Sequence, residues 1–104
     1  ELIGNLQIRN SDISASDDEM GRPRTLISDL DFQLIEILAH RMKISEKIGT
    51  LKKENNIAIF QPERWKIITE YAAQKADETG MSPDFIEKVF KAIHEESIEI
   101  QNNI

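Results

Sequence analysis

The chain has 104 residues, 39% of them hydrophobic and 31% charged, with a formal net charge of -6. That length suits one small domain, and the negative balance disfavours nucleic acid and anionic membrane surfaces as partners, because phosphates repel it. The sequence has no cysteine and only two histidines, His40 and His94, which leaves no disulfide, no thiolate zinc site and no histidine-rich metal cluster; no apolar run approaches the roughly 20 residues of a membrane span and no signal peptide opens the sequence, so a cytoplasmic protein is expected.

Residues 1–21 read as a unit apart. Leu2, Ile3, Leu6 and Ile8 are apolar, but residues 10–19 are rich in Ser, Asp and Asn without a sustained period, the composition of a linker or tail. Residues 22–104 are expected to form the folded domain, with a helical pattern from about Arg24. Ile27, Leu34, Arg41 and Ile48 share one heptad position, and Leu30, Ile37, Ile44 and Leu51 share the other, giving a coiled-coil-like seam of about four heptads. Pro23 suits a first helical turn, and Asn55-Asn56 predicts an end near Glu54. Gly49 is a weak point that packing must tolerate.

Gln61-Pro62-Glu63 opens a second helix, with Pro62 in the first turn and Glu63 complementing the helix dipole. Trp65, Ile68, Ala72 and Ala76 mark its inner face, and Gly80 ends it as a left-handed cap. Ser82-Pro83-Asp84 opens a third helix, along which Ile86, Phe90, Ile93 and Ser97 follow one face. The expected fold is all-α: one long N-terminal helix and two shorter ones. A chain this short buries a modest share of its surface, so pairing with a second copy would add stability.

Several polar residues stand where apolar ones belong. Arg41 occupies the seam among Leu34, Ile37, Ile44 and Ile48, where a guanidinium needs an anion or acceptor. Lys52 lies eleven residues on; at about 100° per residue both cations share one face. A salt bridge within the chain, or a polar residue that sets register, accounts for them. So does a bound dianion, since arginine forks suit carboxylates. Arg24, seventeen residues before Arg41, is rotated roughly 100° from it. It is either an exposed first-turn arginine or a residue that enters a pocket on a partner copy.

Gln61, Arg64 and Trp65 are spaced i, i+3, i+4 and face one way. They read as a loop amide, a surface charge and a core indole, or as one pocket wall. Ser97 and Gln101 are an i, i+4 pair on the inner line of the third helix. His94, beside that line, reads as a packed or solvated histidine rather than a base. No Ser–His–Asp set, glycine-rich phosphate loop or metal motif competes, so the chemistry is binding and electrostatics rather than proton shuttling.

Ile27-Ser-Asp-Leu-Asp31, Leu34-Ile35, Leu38, Arg41-Met42, Ile48-Gly49, Lys52, Gln61-Pro-Glu-Arg64 and Ile93-His-Glu-Glu-Ser97-Ile-Glu-Ile-Gln101, in this order and with these gaps, resemble the all-helical chorismate mutases. The resemblance covers residues 22–104. It implies an intertwined homodimer of three-helix chains whose active sites draw on both copies. It implies conversion of chorismate to prephenate, in the phenylalanine and tyrosine branch of aromatic amino-acid biosynthesis, with no cofactor and no metal. By the same resemblance Arg41, and Arg24 from the partner copy, hold the two substrate carboxylates, and Arg64 lines the pocket. Lys52 and Gln101 hydrogen-bond the ether oxygen of the breaking bond, Gln61 stands near the ring hydroxyl, and Ser97 lies beside the site.

The chain departs from the family pattern at two places. Trp65 follows Arg64 where the family usually offers a glutamate to the ring hydroxyl, which shifts that recognition to Gln61 or to backbone. Pro23 precedes Arg24, implying a late helix start, with Arg22 as the alternative cross-subunit arginine. Residues 1–9 resemble the tail of a 3-deoxy-7-phosphoheptulonate synthase, so a C-terminal mutase domain fused to, or docked on, such a synthase is the favoured context. Two other readings stand beside the mutase: an isochorismate pyruvate lyase of the same fold, and a non-catalytic dimerisation or regulatory module. Residues 55–61 are the segment expected to be mobile.

Overall fold

A computed structural model describes the backbone of residues 15–104 and the side chains from Glu19 onward. Three helices follow in chain order: α1 (Ala15–Glu54), α2 (Pro62–Thr79) and α3 (Pro83–Asn102). No strand occurs among the described residues, in keeping with the all-α expectation. No described helix is long and apolar enough to cross a membrane.

α1 corrects the expected start near Arg24. It begins at Ala15, so Pro23 lies inside the helix rather than in its first turn. Proline removes one backbone bond there, to the Glu19 carbonyl, and crowds the preceding turn; the helix carries that cost. Part of the Ser/Asp-rich stretch read as linker is therefore helical. Residues 1–14, including the synthase-like segment 1–9, lie outside the described residues.

The chain divides into two compact units, Glu1–Ala39 and His40–Ile104. The described part of the first unit is α1 up to Ala39. Leu26, Ile27, Leu30, Leu34, Ile35 and Ile37 are each more than half exposed along it. In a single chain the seam found by heptad counting is thus uncovered.

The second unit holds the rest of α1, with α2 and α3. Its helix ends follow local chemistry. α1 stops in a Schellman motif: Ile57 N–H donates to the Lys52 carbonyl (2.8 Å), Asn56 N–H to that of Lys53 (3.4 Å), and Asn56 sits at φ 55°. Asparagine tolerates that left-handed geometry better than most side chains. α2 ends the same way on Gly80, φ 76°, with Met81 N–H donating to the Ala76 carbonyl at 2.9 Å. Pro62 and Pro83 take first-turn positions, and Ser82 Oγ accepts from Phe85 N–H at 3.3 Å.

Ala72 and Ala76 are the only buried hydrophobic residues among those described. Ser45, Ser97 and Gln101 are buried with them, so the middle of this unit is polar. Gly49 explains itself here. A Cβ added to it would lie 2.5 Å from Ile104 Cδ1 and 3.0 Å from Gln101 Cα. The missing side chain lets α1 lie directly against the end of α3.

Candidate active site

The second unit forms an open-sided cavity of about 420 Å³. α1 contributes Arg41, Ser45 and Lys52 to its wall, spaced four and seven residues apart and therefore on one helical face. Gln61 and Arg64 enter from the start of α2, and Ser97 and Gln101, one turn apart, from α3. Ile44, Ile48, Ile59, Ile68 and Ile98 supply an apolar lining.

Two hydrogen-bond clusters hold the polar groups. In the first, Arg41 Nη1 donates to Ser97 Oγ at 2.8 Å and Ser45 Oγ donates to the same oxygen at 3.0 Å. Ser97 Oγ in turn points its hydrogen at Met42 Sδ, 3.6 Å away. One hydroxyl thus uses both lone pairs and its proton to fix the guanidinium. In the second, Lys52 Nζ donates to the Ile59 carbonyl (2.6 Å) and to Gln101 Oε1 (3.0 Å). An ammonium has three donors, so one remains. The bond to Oε1 also orients the Gln101 amide, whose NH₂ donates to no described residue.

No described carboxylate neutralises these cations. The one ion pair among the described residues is Lys75–Glu78, at 3.4 Å on the exposed side of α2. Arg41, Lys52 and Arg64 therefore present positive charge to one cavity, and the simpler reading of an internal salt bridge does not hold for them. Burial pushes the Lys52 amine below its ordinary 10.5.

Six of the seven residues expected at the site line this cavity: Arg41, Lys52, Gln61, Arg64, Ser97 and Gln101. Arg24 does not. It belongs to the first unit, is exposed, and rests its Nη2 3.9 Å from Met20 Sδ. Arg22 is exposed as well.

Two polar lining residues stand outside the expected site. Ser45 is one turn beyond Arg41, and that spacing was its only signal. His94, taken for a packed or solvated histidine, also lines the cavity. Its ring stacks on Trp65, with centroids 4.3 Å apart and planes inclined 22°, and meets Phe60 edge-on at 5.7 Å. Burial lowers its pKa below the ordinary 6.5; Arg41 and, less strongly, Lys52 add to this, while Glu95 opposes it. The balance favours the neutral imidazole.

Residues 23–102 match the family model described as chorismate mutase type II. The chain is 30% identical over 79 residues to a T-protein of Haemophilus influenzae, an alignment covering 76% of this chain and 21% of that protein. It is 28% identical over 85 residues to a T-protein of Enterobacter agglomerans, covering 82% and 23%. It is 30% identical over 81 residues to a protein of Buchnera aphidicola named bifunctional chorismate mutase/prephenate dehydratase, covering 78% and 21%. The chain thus spans about a fifth of the length of these curated relatives.

Proposed function

We propose that this chain, which belongs to the chorismate mutase type II family, is an isomerase that rearranges chorismate to prephenate in aromatic amino-acid biosynthesis. The observation that carries the reading is the set of three cations facing one cavity with no described carboxylate to neutralise them. Chorismate is a dicarboxylate, and such a pocket selects a doubly negative guest.

The reaction is an intramolecular pericyclic rearrangement. It needs no nucleophile and no base, and the charged groups that line the cavity are all cations. Arg41, already aimed by Ser97, takes one carboxylate, and Arg64 lines the same pocket. Holding the compact diaxial conformer brings the bond-forming carbons together and removes entropy from the barrier. As the carbon–oxygen bond breaks, negative charge grows on the ether oxygen. The free donors of Lys52 and Gln101 meet that charge and gain strength in the transition state.

A homodimer with shared sites belongs to the same reading, with Arg24 from the partner copy completing the carboxylate contacts. What supports it is exposure. Ile27, Leu30, Leu34, Ile37, Ile44, Ile48 and Leu51 are all exposed in the single chain, while only two alanines are buried among the described hydrophobic residues. A second copy laid along α1 would cover that seam. We also favour a larger parent protein, with a fused or docked synthase. The synthase-like residues 1–9 support this, as does the existence of a bifunctional relative.

The test is incubation of the full chain with chorismate and, separately, with isochorismate. Prephenate from the first is the expected result. Salicylate and pyruvate from the second, with chorismate untouched, would replace the mutase with a lyase. A folded chain inert towards both would favour the regulatory module.

A further inference from the structure

A hydroxyl inside a helix has an ordinary local partner, the carbonyl about one turn before it. All four threonines of the chain take it: Thr25 Oγ1 donates to the Gly21 carbonyl at 3.0 Å, Thr50 to Glu46 at 3.1 Å, Thr69 to Lys66 at 2.9 Å and Thr79 to Lys75 at 2.7 Å. Ser45 does not. Its local acceptor is the Arg41 carbonyl, yet its Oγ donates across from α1 to Ser97 Oγ on α3, 3.0 Å away. Ser97 also bonds away from its own helix, accepting from Arg41 Nη1 at 2.8 Å and pointing its hydrogen at Met42 Sδ, 3.6 Å away. Each serine is 5% exposed, so neither hydroxyl has much water to turn to.

The two bonds that Ser97 Oγ accepts do different things. A serine hydroxyl turns among staggered positions and carries two lone pairs and one hydrogen. Arg41 takes one lone pair. Ser45 takes the other, which leaves Met42 Sδ, a weak acceptor, as the outlet for the hydrogen. Without the Ser45 hydroxyl, Ser97 is free to turn back to the carbonyl of Ile93, four residues before it, and its oxygen swings away from Arg41. No described carboxylate stands by to replace it. We propose that Ser45 is a positioning residue for substrate binding: it holds the Ser97 hydroxyl as the acceptor for Arg41 and so keeps the guanidinium aimed at a substrate carboxylate. It acts through Ser97 rather than on the substrate. The inference rests on the mutase reading and adds to it a residue outside the set that the family resemblance supplies.

A double-mutant cycle on the full chain tests it: Ser45→Ala, Ser97→Ala and the pair together. Each variant is measured for chorismate kinetics, for the inhibition constant of a bicyclic ether dicarboxylate, and for its urea midpoint. Alanine has the higher helix propensity, so the fold is expected to hold. Ser45→Ala should raise KM and the inhibition constant about three- to tenfold, the yield of one hydrogen bond, with kcat within about twofold. In the Ser97→Ala background the same change should add less than about twofold, because the hydroxyl it acts through is gone. A serine that only ties α1 to α3 would lower the urea midpoint and leave the inhibition constant alone. Equal losses of affinity in both backgrounds would mean that Ser45 acts independently of Ser97. Either result overturns the inference and spares the mutase reading. Failure of the unchanged chain to turn over chorismate and to bind the dicarboxylate removes both.

Discussion

Replacing Lys52 by alanine is the most searching perturbation of the proposed chemistry. Its ammonium donates to Gln101 Oε1 and to the Ile59 carbonyl, leaving one donor for the ligand. A preorganised donor aimed at developing charge stabilises a transition state by about 3–4 kcal/mol, or two to three decades of rate at about 1.4 kcal/mol per decade. Lys52→Ala should lower kcat by roughly that factor while KM changes several-fold at most. The variant also strands two acceptors, at about 1–3 kcal/mol of stability, so the unfolding midpoint must be followed alongside. Lys52→Gln separates the two effects, because an amide can still bond to the Ile59 carbonyl but carries no charge. It should recover stability and stay slow. Initial rates of chorismate loss over a range of concentrations give kcat and KM separately. An unchanged kcat in Lys52→Ala, in a folded protein, would refute the role given to this residue.

Gly49→Ala pushes a methyl group into Gln101 Cα and Ile104. We expect a loss of about 1–3 kcal/mol in urea unfolding, together with a lower kcat as Gln101 moves off its bond to Lys52. Ser97→Ala releases Arg41 from its 2.8 Å anchor, so KM should rise more than kcat falls, read from the same kinetics. Lys52 must be charged to act, and its amine titrates below 10.5. The logarithm of kcat/KM should therefore fall on an alkaline limb that begins below that value. The limb in kcat should lie higher, because a bound dianion favours the ammonium. Between the folded and unfolded pKa the unfolded chain binds more protons, so this group's contribution to stability rises with pH where activity falls. Urea midpoints across that window check the sign.

Much of the architecture was legible in local chemistry. Pro62, Gly80, Ser82 and Pro83 bound α2 and α3 because proline and glycine act through backbone geometry, whatever surrounds them. Asn55-Asn56 stopped α1 for a similar reason, with Asn56 in the left-handed region. The start of α1 was not legible, because serine and aspartate suit both linkers and early helical turns. Arg41 and Lys52 were found by a face argument that needs only helical periodicity. Their surroundings were not, since periodicity says which residues share a face and nothing of what covers it. Ile44 and Ile48 share that seam and are exposed in the single chain. His94 was legible as a packed histidine but its neighbours were not, because Trp65 and Phe60 lie far away in sequence.

The cluster of Arg41, Lys52 and Arg64, which no described carboxylate neutralises, also bears on stability. Burial disfavours the charged form of the Lys52 amine, and a dianion bound beside it would favour that form. By mass action a tightly bound dianion would add about 2.7 kcal/mol of resistance to unfolding at one hundred times its dissociation constant. The fold and its guest are thus thermodynamically coupled: in a cell rich in the dicarboxylate the domain would be sturdier than in one depleted of it.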